Sequence, residues 1–209
     1  MSAPAPTAVT YPVMEHFYTL QGEGYYTGCA AYFIRLGGCD VGCHWCDVKE
    51  SWPVDAHPVL SLDELLASIR DTPAKIAVIT GGEPLMHDLT ALTDALHSAG
   101  LRTHIETSGT RPLSGALDWV TFSPKKFKAP LDAFYAVADE LKVIVYNRHD
   151  LKWAQGHAEK LQDAGNTSCQ LLLQPEWDTP EAMQWIVEHV KRHPQWRISL
   201  QTHKFLEIP

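Results

Sequence analysis

Short apolar runs alternate with amphipathic stretches along most of the chain. Ala30–Leu36 is dense in aromatic and bulky aliphatic residues and ends at Gly37 and Gly38, the pattern of a buried strand closed by a turn. Ile76–Thr80, Arg102–Thr107, Trp119–Phe122, Glu140–Tyr146, Cys169–Leu173 and Arg197–Gln201 repeat that signature more or less strongly. Between them lie helical stretches. Ser61 and Glu64 form a capping box, in which each side chain satisfies the other's backbone N–H, and it opens a helix through about Arg70. Leu89–Ser98 stops at Gly100, Asp150–Ala164 is amphipathic, and Thr179 or Pro180 begins a helix to His193 with proline where its missing N–H does no harm. This alternation predicts an α/β fold on about six mainly parallel strands with a reduced set of helices. A closed eightfold barrel takes ~250 residues, so the 209 residues here predict a partial, open TIM-like barrel. A single domain over 1–209 is expected, with the Ala- and Pro-rich residues 1–10 flexible.

In such sheets ligands gather at the carboxyl ends of the strands. The segments following the strands are polar or glycine-rich: 37–39, 81–84, 106–109, 123–125, 174–177 and 201–203. They are expected to converge on one face and form the site. The formal net charge of −8, with no basic run, argues against a nucleic-acid partner. Neither a signal-like start nor an apolar stretch near the ~18 residues of a membrane helix is present, so no membrane partner and a cytoplasmic location are expected. Five cysteines in that setting suggest metal or redox chemistry rather than a disulfide framework.

Three of the five, Cys39, Cys43 and Cys46, follow the first strand at the spacing C-x3-C-x2-C. Three thiolates hold three irons of a [4Fe-4S] cubane and leave the fourth open to a small molecule, whereas ordinary clusters take four cysteines. Structural zinc with His44 as fourth ligand is the competing reading. His44 lies between two of the thiols, and zinc motifs usually bring the fourth ligand from a separate turn. Cys29 and Cys169 read as core residues, since free cysteine is often buried.

The cysteine motif with Trp45 before its last member, followed after the next strand by Gly81, Gly82, Glu83 and Pro84, resembles the radical S-adenosylmethionine (SAM) superfamily. The resemblance implies a [4Fe-4S] cluster on Cys39, Cys43 and Cys46, the radical SAM form of the open barrel, and SAM as cofactor. It places Gly81, Gly82 and Glu83 at the SAM amino group and Trp45 near the adenine, with Asp47 beside them. Ser123, Pro124 and Lys125, and Gln174, Pro175, Glu176 and Trp177, match SAM-binding loops.

A narrower likeness covers nearly the whole chain. Segments 17–24, 33–39, 79–84, 105–109, 123–125 and 201–209 are similar to the 7-carboxy-7-deazaguanine synthases, which make the deazapurine core of queuosine. The likeness implies a lyase that contracts the ring of 6-carboxy-5,6,7,8-tetrahydropterin, releases ammonia and regenerates SAM. Leu20, Gln21, Gly22 and Glu23 match the pterin-binding segment, and Arg35 an arginine on the substrate carboxylate. Thr80, Glu106, His203 and Pro209 also face the substrate in this likeness. It further implies a homodimer and a reducing electron donor such as flavodoxin. One departure concerns magnesium. The family's threonine ligand is replaced by Val48, so a magnesium ion either binds through Asp47, substrate and water or is dispensed with. A glycyl-radical activating enzyme shares the short length and cysteine motif, but segments 21–23 and 203–209 argue against it.

Overall fold

The computed structural model describes residues 9–209. The expected flexibility of residues 1–10 therefore falls largely outside the described residues, and Thr10 already opens the first strand. Nine strands form one sheet: β1 (Thr10–Leu20), β2 (Ala30–Leu36), β3 (Val59–Ser61), β4 (Ile76–Gly81), β5 (Arg102–Thr107), β6 (Trp119–Phe122), β7 (Glu140–Val145), β8 (Gln170–Pro175) and β9 (Trp196–Ile198). Their spatial order is β3-β1-β2-β4-β5-β6-β7-β8-β9, with β3 and β9 as the two edges, so the barrel is open as expected. From β2 through β4 to β9 every neighbouring pair is parallel, and β1 pairs antiparallel with both β2 and β3. The parallel set thus has seven strands rather than about six.

Six helices join or follow the strands: α1 (Leu62–Arg70), α2 (Thr90–Ser98), α3 (Ala133–Val137), α4 (His149–Asp163), α5 (Glu181–Arg192) and α6 (Thr202–Leu206). The capping box at α1 is formed, with Glu64 N–H donating to Ser61 Oγ at 3.3 Å and Ser61 N–H to the Glu64 carboxylate at 2.8 Å. Strands β1 and β3 and helices α3 and α6 escape the periodicity. In β1 only Tyr11 and Val13 are buried, and a register shift between Val13 and Glu15 breaks the alternation.

Strand alternation sorts the side chains. Ile34, Leu36, Ala77, Ile79, Ile105, Val120, Phe122, Leu141, Val143 and Leu173 belong to the buried core. Their neighbours in sequence, including Arg35, Thr80, Glu106, Lys142 and Gln174, take the other face and line a cavity. His157 of α4 is held in the core by a 2.7 Å hydrogen bond with Tyr135 and an edge-on contact with Trp153. Burial, with Lys160 nearby, pushes its pKa down from 6.5 to about 4. A histidine kept neutral by folding contributes its stability above the unfolded pKa and loses it as pH falls from 6.5 towards 4. Acidification across that window is expected to cost about 2 kcal/mol through this group. Urea unfolding of the wild type and of His157→Gln checks this, because the variant's stability should fall less steeply across the window.

Candidate active site

β2 delivers the cysteine loop to the carboxyl edge of the sheet through Gly37 and Gly38. Gly38 has φ of +108°, a conformation open to glycine, and its N–H donates to Ser51 O at 2.7 Å. The loop is fastened on three sides. Cys39 N–H donates to Trp52 O at 3.1 Å, Glu83 N–H to Gly38 O at 2.8 Å, and Asp40 pairs with Arg111 and, at 2.7 Å, with Lys128. Cys43 is buried, Cys39 and Cys46 are half-buried, and all three thiols are free. Burial pushes the Cys43 thiol up to about 11; Lys125 opposes that rise, and Cys46 and Cys39 add to it. The three thiols therefore sit within electrostatic reach of one another. Among the described residues no three His, Cys, Asp or Glu side chains converge tightly enough for a single metal ion.

The other two cysteines lie at the far end of the sheet. Cys29 immediately precedes β2, a seven-residue strand, so it is about 23 Å of strand away from Cys39. It is exposed, which corrects the expectation of a core residue. Cys169, just before β8, is half-buried and packs against the core.

The Gly81-Gly82 turn owes its glycines to backbone packing. Gly81 has φ of +145°, and a Cβ there would lie 2.1 Å from Leu36 O; at Gly82 it would lie 2.2 Å from Gly38 O. Glu83 is 1% exposed and encircled by donors. Its carboxylate accepts from Thr107 Oγ1 at 2.6 Å, Ser108 N at 2.8 Å, Leu85 N at 3.2 Å and the Ser108 hydroxyl. Glu83 thus welds the turn after β4 to the connection after β5.

Above these turns opens a cavity of about 630 Å³, within the range of small-ligand sites. Its wall includes Cys43, Trp45, Cys46, Asp47 and Val48 from the loop; Leu20, Gln21, Gly22 and Glu23; and Arg35, Thr80 and Glu106. Ser123, Lys125, Gln174, Pro175, Glu176, Trp177, His203 and Pro209 complete it. Of the residues expected at the site, Cys39, Gly81, Gly82, Glu83 and Pro124 do not line this cavity.

Two ends of the chain meet here. Thr202 N–H donates to Gly22 O at 2.8 Å, and a Cβ on Gly22 would collide with His203 Nδ1 at 2.2 Å. Asp47 accepts from Lys204 Nζ at 3.0 Å and Gln201 Nε2 at 3.1 Å. Although burial works against its charge, those two partners hold the Asp47 carboxyl below the usual range. Arg35 spends its Nε on Glu15 at 2.6 Å while bordering the cavity, so the structural ion pair and the site position coexist. Lys125 donates to Ser123 O at 2.8 Å and stands 5.8 Å from the Trp45 ring centre.

Sequence reasoning missed Lys142 and Lys204, and placed Gln201 at the site without its partner. Lys142 had a signal, as a charged residue inside an apolar strand whose neighbours are buried. It donates to Glu23 and, at 3.2 Å, to Glu106. Lys204 had none of its own, and nothing local marks either Gln201 or Lys204 as a partner of Asp47.

Comparison with known proteins fits this arrangement. A family model described as the radical SAM superfamily matches residues 33–178. The 7-carboxy-7-deazaguanine synthase of Flavobacterium psychrophilum is 54% identical over 199 residues, covering 95% of this chain and 92% of its own length. That of Synechocystis sp. is 48% identical, covering 96% and 94%, and that of Escherichia coli K12 is 37% identical, covering 95% and 99%. A crystal structure of QueE from Escherichia coli superposes with a TM-score of 0.83 at 37% identity, over 93% of this chain and 95% of that one. Likeness of this extent, spanning nearly the full length of both chains, means that the protein belongs to the 7-carboxy-7-deazaguanine synthase family of the radical SAM superfamily.

Proposed function

We propose that the chain converts 6-carboxy-5,6,7,8-tetrahydropterin to 7-carboxy-7-deazaguanine with loss of ammonia, SAM being used catalytically. The observation that carries this reading is the convergence of residues 20–23, Arg35, Thr80, Glu106 and His203 with Cys43 and Cys46 on one cavity. Cys39, Cys43 and Cys46 would hold the [4Fe-4S] cluster, and the donor set of three free thiols suits it. When bound, the cluster and SAM supply one-electron chemistry that abstracts a hydrogen atom. The protein binds, orients and keeps water out.

Trp45, Asp47, Ser123, Lys125 and residues 174–177 form the SAM side of the cavity, and Gly81, Gly82, Glu83 and Pro124 belong to the loops beside it. On the substrate side, the Arg35 guanidinium offers N–H groups beyond the one given to Glu15, suited to a carboxylate. Gln21, Glu23 and Glu106 present acceptors to the N–H edge of a pterin. Leu20, Gly22, Thr80, His203 and Pro209 complete the wall. Phe17 and Phe33, stacked 5.7 Å apart, give the cavity an apolar flank.

Magnesium finds few protein ligands here. Val48 offers no side-chain oxygen, and Lys204 and Gln201 both take Oδ2 of Asp47, leaving Oδ1 alone. Product formation is expected to proceed at the same rate in magnesium-free buffer. The reading includes a homodimer and a low-potential donor such as flavodoxin, both carried over from the family, and a cytoplasmic setting. No helix among the described residues is long and apolar enough to cross a membrane.

The test is anaerobic cluster reconstitution, then reductant, SAM and the carboxypterin, with and without magnesium, following product by mass. Formation of 7-carboxy-7-deazaguanine without stoichiometric loss of SAM supports the assignment. Cleavage of SAM with the pterin untouched would retain the cluster chemistry and reject the substrate.

A further inference from the structure

Lys142 is a charged residue enclosed at the heart of the sheet, 3% exposed, between the fully buried Leu141 and Val143 of β7. Its ammonium donates to the carboxylates of Glu23 and Glu106, the latter at 3.2 Å. Glu106 also accepts from Gln21 Nε2 at 3.0 Å, and Gln21 Oε1 accepts from Glu23 N–H at 3.0 Å. The four residues close a ring in the cavity wall, the last link being the Glu23 backbone N–H. A third carboxylate, Glu140 on the same strand, accepts from Tyr25 N–H at 3.0 Å and Trp119 Nε1 at 3.3 Å, and its other oxygen has no partner.

Two carboxylates sharing a buried site do not both stay ionised unless a cation stands between them. A protonated carboxyl is a donor as well as an acceptor, so its O–H would oppose any N–H pointed at it. We propose that Lys142 is a positioning residue that keeps Glu23 and Glu106 both ionised and acceptor-only, so that together they select a ligand presenting a row of N–H donors. This deepens the assignment of the cavity to a pterin and rests on it.

The electrostatics point the same way. Burial works against the Lys142 charge, yet Glu106, Glu23 and Glu140 together hold it above the ordinary lysine range. Burial likewise works against the Glu23 charge, and Lys142, Gln174 and Gln201 outweigh it and bring the carboxyl down. The other charged or titratable groups facing this ring are His104 of β5, which shares a small cavity with Gln21, Glu23, Glu106 and Glu140, Asp47 from the cysteine loop, Lys125 from the segment after β6, and His203 against Gly22.

A carboxyl with a lowered pKa keeps its charge as pH falls, and removing the cation that lowers it moves its protonation to higher pH. Affinity of the reconstituted, SAM-loaded enzyme for 6-carboxy-5,6,7,8-tetrahydropterin should therefore stay flat from neutral to mildly acidic pH in the wild type and in Lys142→Arg. In Lys142→Met it should fall by about tenfold per pH unit below the raised pKa. A Lys142→Met enzyme with wild-type affinity and a wild-type pH profile overturns the proposal. Carboxyl-13C NMR titration of glutamate-labelled wild-type protein needs neither pterin nor a variant that folds. Glu23 ionised throughout mildly acidic pH is the expected result, and its protonation there overturns the proposal. If the wild type binds no pterin at any pH, the substrate assignment falls while this titration still decides the role of Lys142.

Discussion

Cys43→Ala is expected to give a folded protein that retains no four-iron cluster and forms no product. Cys43 lies in a loop fastened by backbone hydrogen bonds and by the pairing of Asp40 with Arg111 and Lys128, none of which involves its sulfur. Trimming one buried thiol to a methyl costs little packing, about 1 kcal/mol, so the melting temperature should barely move. The cluster has no such tolerance, because with three protein ligands each thiolate holds a separate iron. Cys29 and Cys169 cannot substitute, since both lie at the opposite end of the strands. Iron and sulfide analysis after anaerobic reconstitution, read beside circular dichroism, separates the outcomes. Cys29→Ala and Cys169→Ala should keep the full cluster, and a Cys43→Ala protein with full iron and sulfide would reject the ligand assignment.

Glu83→Ala should act on the fold before it acts on any ligand. The resemblance places this carboxylate at the SAM amino group, but its oxygens are already met by Thr107, Ser108 and Leu85. Removing it strands those donors where water cannot reach. Each unsatisfied buried donor costs about 1–3 kcal/mol, so a total loss of about 4 kcal/mol is expected. For a chain of this length that lowers the melting temperature by roughly 10 °C, with or without SAM. A contact made only with SAM would instead leave the ligand-free protein unchanged and weaken SAM binding alone. Thermal unfolding of the ligand-free variant distinguishes the two, and an unshifted melting temperature would return Glu83 to a purely ligand-facing role.

Both predictions start from positions that the sequence marks unaided. Local pattern is enough for β2, β5 and β6, whose bounds agree residue for residue with the apolar runs, and for α1, whose cap is a contact three residues long. The cysteine spacing and the paired glycines are local too, so their chemistry is legible before any fold is known. β1 is not, because its pairing with β2 carries a bulge and most of its length is left unburied.

The tertiary structure alone decided which polar groups meet. Lys142 and Glu23 are 119 residues apart, and Asp47 and Lys204 are 157 apart. Parallel register puts Arg35 beside Thr80 and Glu106 beside Thr121, so side chains far apart in sequence share one face. The sequence by itself determined most of the elements, the cysteine spacing and the face on which a site would form, since these follow from periodicity and spacing. Folding turned Glu83 into a brace, exposed Cys29 and enclosed Lys142 among three carboxylates. Those outcomes depend on which strands lie side by side, and hydrophobic periodicity carries no record of that.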